Sequence, residues 1–162
     1  MTELNRGKQF EAKFKEDFKR SFPEGTIDRL YDSVSGFKAV TNISDFIGYN
    51  YPNIYYLECK SHKGKSFPFS ALSQYDKLKE KVGIKGVRVG VVIWLIDLDK
   101  VYYLPIKTIT KVLELGIKSF NPETLRSKLD CTIYNYYEIP SVKKRVFLDS
   151  DYSILTTLSE GE

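Results

Sequence analysis

Apolar residues recur at every fourth position near the start of the chain, at Phe10, Phe14 and Phe18. That spacing lays one apolar stripe along a helix over about 5–21, and Pro23 with Gly25 ends it. Strand-like runs follow. Segments 26–31, 44–49 and 54–60 read as strands, with Asn50-Tyr51-Pro52-Asn53 as the turn between the last two. Segment 32–42 reads as a loop or a protruding hairpin. A second helix is expected from an N-cap at Ser70 to about Val82, with Gly83 and Gly86 beyond its end. The run GVRVGVVIWLIDLD, 86–99, is rich in β-branched residues and suits a central strand covered on both faces. A tight turn at 97–100, a strand VYYLPI, a helix over 106–115 and a short helix over 121–129 come next. CTIYNYYEI and KRVFLD read as strands, and 156–162 as a frayed end. This order predicts one α/β domain over 1–162, a mixed β-sheet flanked by helices.

Charge changes that picture by its distribution. The net charge is only +4, but residues 1–88 hold 16 Lys/Arg against 11 Asp/Glu, and residues 89–162 hold 9 against 10. The excess sits in groups: Lys13, Lys15, Lys19 and Arg20; Lys60, Lys63 and Lys65; Lys77, Lys79, Lys81, Lys85 and Arg88. A polyanion partner fits this, and so do solvated faces of surface helices. No apolar run is long enough to cross a bilayer, and the start MTELNRGKQF has no signal core, so the expected location is the cytoplasm.

Rare residues exclude several chemistries. His62 is the sole histidine, which argues against a Ser-His-Asp triad or a histidine-rich zinc site. Cys59 and Cys131 lack metal-ligand spacing and read as reduced structural thiols. Gly64-Lys65-Ser66 resembles the end of a phosphate-binding loop, but Cys59 stands where the upstream glycine belongs.

The sharper signal is Asp45, Glu58 and Lys60. Alternation puts Glu58 and Lys60 on one face of their strand and Cys59 on the other. A two-residue turn at Tyr51-Pro52 pairs Asn50 with Asn53, and that register carries Asp45 opposite Glu58. Like charges so placed repel and call for a cation. Two carboxylates with a backbone carbonyl and water make a hard oxygen site for Mg²⁺ or Mn²⁺. A neighbouring lysine then suits phosphodiester hydrolysis, by stabilising phosphate charge or helping to activate water. As a bare pattern, D-x12-E-x-K is more often an ordinary charged strand. The phase of the alternation and the basic loop after it favour the chemical reading. Glu11 borders the Phe10–Phe18 stripe and is placed to support the metal or its water, although exposed glutamates are common. Gln74 is placed in the second helix to contact phosphate or water, with an equally ordinary alternative. The 12 tyrosines suit packing more than base stacking.

In order along the chain, NRGKQFE, the D…ExK hairpin, SFPFSALSQ, VVIWLIDLDKVYYLP and KRVFLDSDYSIL resemble RecU-type Holliday junction resolvases. Those proteins belong to the PD-(D/E)xK nucleases, and the resemblance spans Asn5 to about Ile154. It implies a restriction-endonuclease-like core. It also implies metal ligation by Asp45, Glu58 and the Cys59 main-chain carbonyl, with Lys60 as the catalytic lysine. Glu11 corresponds to the family's helix-borne acid, and Gln74 to its glutamine after the ExK strand. The family works as homodimers that nick four-way DNA junctions in pairs with Mg²⁺ or Mn²⁺. A stalk precedes its motif aspartate; here it would lie within 31–44 and be short. No long basic N-terminal extension precedes the first helix. Both departures bear on junction binding more than on nuclease chemistry, and they fit a compact version of the family such as a phage would encode.

The expectation is therefore a Mg²⁺- or Mn²⁺-dependent Holliday junction resolvase. Lys38, Lys63, Lys65, Lys77 and Lys81 are its candidate phosphate contacts. Aromatic segments at Tyr102–Tyr103 and Tyr134–Tyr137 are weak candidates for a dimer surface. Two alternatives stay open. One is a nuclease of the same core acting on duplex or flapped DNA, and the other is a non-catalytic DNA-binding module.

Overall fold

The computed structural model describes residues 2–35 and 38–158. Helix α1 (Glu3–Ser21) begins at Thr2, whose hydroxyl accepts from the Asn5 N–H. The chain then gives β1 (Thr26–Arg29), a small hairpin of β2 (Ser33–Ser35) and β3 (Lys38–Val40), then β4 (Phe46–Asn50) and β5 (Asn53–His62). Strand β6 (Phe67–Pro68), a 3-10 turn (Phe69–Ala71) and the short α2 (Tyr75–Lys79) cross to β7 (Val87–Leu95). Strand β8 (Lys100–Pro105) runs into α3 (Ile106–Glu114), followed by β9 (Ser119–Phe120), α4 (Pro122–Leu125), β10 (Tyr137–Ile139), β11 (Ser141–Lys143) and β12 (Leu148–Ser150).

Six strands form the main sheet, in the order β1-β4-β5-β7-β8-β10. Every neighbouring pair is antiparallel except β5 and β7, which run parallel from Ile54↔Val87 to His62↔Leu95. The architecture is thus the expected mixed sheet with helices on both faces. Side-chain alternation divides the core. On one face, Phe10, Phe14 and Phe18 of α1 pack on Leu57, Trp94 and Tyr103. On the other, Val91, Ile93 and Leu104 pack on Ile109 and Val112 of α3 and on Phe120. Strand β7 is buried on both faces, as its unbroken apolar run requires. Gly90 is needed there, since a Cβ would lie 2.2 Å from the Tyr103 ring.

Three expectations change. The helix over 70–82 is a 3-10 turn followed by the five residues of α2. Phe67, Phe69 and Leu72 are buried with Leu78, but they do not share one helical stripe. CTIYNYYEI is strand only over its last three residues, which pair with Val101–Tyr103 of β8; before them the chain turns, and Asn135 bonds Thr108 and the Tyr136 N–H. Of the aromatics considered for a dimer surface, Tyr102, Tyr103 and Tyr136 are core residues and offer none, while Tyr134 and Tyr137 are half-buried. The frayed end foreseen over 156–162 lies partly outside the described residues, and Tyr152–Thr156 forms a 3-10 turn. No helix among the described residues is long and apolar enough to cross a membrane.

Phe14 is fully buried against Phe18, Phe46 and Tyr152. Phe14→Ala should lower stability by about 3–5 kcal/mol in urea unfolding. A loss below about 1 kcal/mol would mean that the α1 stripe does not hold the helix to the sheet.

Candidate active site

Strand β5 outruns its neighbour. The β4–β5 ladder pairs Asn50 with Asn53 and ends at Phe46↔Leu57, while β5 continues to His62 along β7 alone. The next position on the β4 side is Asp45, which stands opposite Glu58, as the turn arithmetic requires. Two hydrogen bonds replace the ladder there. The Asp45 N–H donates to Glu58 Oε2 at 3.1 Å, and the Cys59 N–H donates to Asp45 Oδ2 at 2.8 Å. In an extended strand the N–H and C=O of one residue aim at the same neighbour. The Cys59 carbonyl is therefore turned toward Asp45 as well. The Cys59 thiol is buried in the α1-side core, and burial pushes its pKa well up, so the sulfur is inert.

Glu58 is only 3% exposed. Burial first, then repulsion from Asp45, pushes its carboxyl up to about 7 from 4.5, against the opposing pull of Lys60. Lys60 Nζ lies 3.0 Å from Glu58 Oε1. Burial works to lower the Lys60 pKa, but Glu58, Asp45 and Glu11 outweigh it and the net shift is upward. Lys60 is thus a cation at neutral pH.

Arg29, at the end of β1, supplies a contact that the sequence reading missed. Its Nε donates to Glu11 Oε2 at 3.0 Å, and its Nη2 lies 3.5 Å from Asp45 Oδ1. It also donates to the Leu30 and Asp45 carbonyls, and it lies over the Phe46 ring at 5.5 Å. Glu11 therefore reaches the cluster through Arg29. Burial and Asp45 raise the Glu11 pKa, while Arg29 and Lys60 oppose the rise. The four-residue strand TIDR carries no spacing that marks its arginine. The clue was electrostatic: two facing carboxylates and one lysine left a charge unmatched.

The other expected residues lie around this centre. Gln74 caps α2 without a side-chain capping bond and is not part of the Asp45–Glu58 hydrogen-bonded pair. Lys63 and Lys65 are exposed in the turn after β5. Lys77 Nζ donates to the Thr41 carbonyl at 2.6 Å, and Lys81 lies 5.9 Å over the Tyr56 ring. The Lys38 side chain lies outside the described residues. The β2–β3 hairpin preceding Asp45 pairs Ser33↔Val40 to Ser35↔Lys38. Asn42 latches its base through the Asp32 carboxylate and the Tyr31 carbonyl.

Among the described residues no three His, Cys, Asp or Glu side chains come close enough to hold a metal ion. The donors that do converge are two carboxylates and a main-chain carbonyl. Their hard oxygens fit Mg²⁺ or Mn²⁺, with water or phosphate completing the shell. Three carboxylates against two cations also leave one negative charge, and Glu58, pushed up to about 7, is the group that most readily takes a proton to offset it.

No protein-family model and no curated protein matches the chain. Solved structures do match. One is the 1.6 Å structure of Hjc from Archaeoglobus fulgidus, described as a Holliday junction resolvase from an archaeal hyperthermophile. It shares 16% identity with a TM-score of 0.49, covering 63% of this chain and 78% of that one. A likeness this distant assigns no activity.

Two outcomes follow from the charges. Folded Glu58 keeps its proton to about pH 7, and unfolded Glu58 releases it near 4.5. The folded state therefore binds the extra proton between those values, and stability falls as pH rises through them. Glu58→Gln removes this titration. In EDTA, the stability difference from the parent should move in the variant's favour across that window, by roughly 3 kcal/mol at full effect. A flat difference would mean that Glu58 titrates normally. Arg29→Met leaves Glu11 and Asp45 without their shared cation. It should cost about 1–3 kcal/mol at pH 8 and less at pH 5, where Glu11 can take up a proton. Equal losses at both pH values would remove Arg29 from the electrostatic balance.

Proposed function

We propose that the chain is a metal-dependent endodeoxyribonuclease of the PD-(D/E)xK type, and that its substrate is the four-way DNA junction. The observation that carries the reading is the convergence of Asp45, Glu58 and Lys60 at the open side of β5. It pairs a buried carboxyl, whose pKa burial pushes up, with a charged lysine. Such a set suits phosphodiester hydrolysis. The order of elements before and after β5, and the small hairpin directly before Asp45, agree with the resolvase resemblance in the sequence.

Asp45, Glu58 and the Cys59 carbonyl would hold Mg²⁺ or Mn²⁺. Such an ion acidifies bound water and neutralises phosphate charge. Lys60, already protonated at neutral pH, would stabilise the negative charge that grows on the phosphate oxygens rather than remove a proton. Arg29 keeps Asp45 from rotating away and holds Glu11 at the rim of the site. Gln74, at the head of α2, would contact phosphate or water. Lys63, Lys65 and Lys81 would position the DNA backbone, together with Lys38 on the hairpin and Lys77 near its base. Paired nicks in a near-two-fold junction call for two such sites, hence a homodimer.

The test compares a mobile four-way junction with linear duplex of the same sequence, in Mg²⁺, Mn²⁺ and EDTA. Symmetric nicks in the junction alone, absent in EDTA, are expected. Lys60→Ala and Asp45→Asn should each lower the rate by about 10²–10³-fold. A binding readout stands apart from activity: Mn²⁺ should raise the melting temperature of the parent but not of Asp45→Asn. Equal cutting of both substrates would shift the reading to a duplex or flap nuclease. Absence of cutting with either ion would leave only a DNA-binding module, and undiminished cutting by both variants would put the site elsewhere.

A further inference from the structure

We propose that the small cavity at the end of β5 is a phosphate-binding subsite, gripping a phosphodiester next to the one that is cut. That its phosphate comes from DNA rests on the nuclease reading above. The cavity has a volume of about 140 Å³ and is lined by Arg6, Ser61, His62, Lys63 and Ile96. Three of these five side chains are basic or can become so, one is a hydroxyl, and none is acidic. An anion entering it meets donors without a facing carboxylate.

Three separate parts of the chain build the cavity. Arg6 comes from the first turns of α1. The positive end of the helix dipole makes a cation there mildly unfavourable, so helix stability does not account for it. Its planar fork suits two oxygens of one phosphate. Neither Arg6 nor Lys63 forms an ion pair among the described residues, so neither charge is already spent. Ser61 and His62 end β5. The His62 ring is held edge-on by Phe67, with centroids 5.7 Å apart at 88°. Gly64, at φ +111°, turns the Lys63–Lys65 loop back over His62, where a Cβ would lie 3.8 Å from Nε2. The imidazole is thus positioned before any ligand arrives.

Location selects the source of the phosphate. His62 shares a strand face with Lys60 and Glu58, and the two-residue step from Lys60 spans about 6.8 Å. That step is comparable to the spacing of successive phosphates on one DNA strand. Ser61 turns to the α1 side, near Gly7, so the cavity sits at the end of the strand between its two faces, and a phosphate held there would lie about one phosphate step from Lys60. The arrangement would set which bond lies at the reactive centre.

His62 is the only histidine, so the Hε1 proton of its imidazole is a unique NMR signal. Inorganic phosphate added to the metal-free protein should shift that signal saturably. The shift should vanish in the double variant Arg6→Ala/Lys63→Ala. The same variant should bind a four-way junction in EDTA about 10-fold more weakly, with a salt slope smaller by about 1. Lys128→Ala, which removes an exposed charge elsewhere, should leave both readouts unchanged. No saturable shift, or a shift that survives in the double variant, overturns the subsite. An equal loss in Lys128→Ala reduces it to bulk charge and overturns it too. Phosphate binding with unchanged junction affinity and salt slope overturns DNA as the ligand. If phosphate binds but the parent protein binds no DNA, the nuclease reading falls and the anion site stands.

Discussion

The Cys59 N–H reaches the Asp45 carboxylate at 2.8 Å where β4 stops and β5 runs on. A ladder partner at that position would have continued the sheet and covered the edge of β5. The carboxylate satisfies the N–H instead, so β4 ends there without leaving a donor of β5 orphaned. The same bond holds Asp45 against Glu58, turns the Cys59 carbonyl toward them and leaves the end of β5 open. Sheet termination and site formation are one event.

That event creates a local conflict, since two carboxylates are held together and one of them is almost fully buried. Isolated, the pair would oppose folding. Arg29 and Lys60 relieve it from opposite sides of the sheet, and a proton on Glu58 takes up the remainder near neutral pH. The surrounding core tolerates the conflict because β5 is fixed on both sides. Leu57 and Cys59 pack under α1, while the nine-residue parallel pairing with β7 fixes the strand axis.

The parts of this site that were legible in the sequence are those governed by strict period and a tight turn. Alternation along 54–60 placed Glu58 with Lys60, and the two-residue turn placed Asp45 opposite Glu58. The α1 stripe was equally plain, because Phe10, Phe14 and Phe18 keep one helical face. Arg29 was hidden because its role comes from the lateral pairing Arg29↔Phe46, which brings β1 beside β4. Local pattern does not encode such a pairing. The segment after β5 misled for a related reason: Phe67 pairs with Phe120, more than fifty residues away, and that contact fixes a short strand just before the position where a helix was expected to begin. CTIYNYYEI had strand-like residues, but its first part turns aside at Asn135, whose carbonyl accepts from Thr108 and whose side chain accepts from the Tyr136 N–H, before it could follow β8. The hairpin at 33–40 was foreseen as an alternative to a loop, its Ser/Gly content giving no means to choose.

Helix α1 reaches the site and its flanking cavity from the outside, and its placement is fixed at the far end. Asp17 is 1% exposed, yet its Oδ1 accepts from Lys13 at 2.6 Å and from Arg20 at 2.8 Å, and its Oδ2 from the Ser150 N–H at 3.0 Å. Ser21 accepts from the Tyr152 N–H at 2.8 Å. A buried carboxylate with three donors is well satisfied, and here the donors join α1 to β12 and the turn that follows it. The phenylalanine stripe sets the rotation of the helix about its axis. The Asp17 clamp, whose geometry tolerates little sliding, sets its position along that axis. With both fixed, Glu11 meets Arg29 and Arg6 meets the end of β5. The C-terminal strand pair, distant in sequence from every candidate site residue, thereby contributes to the site by holding the helix that carries two of them.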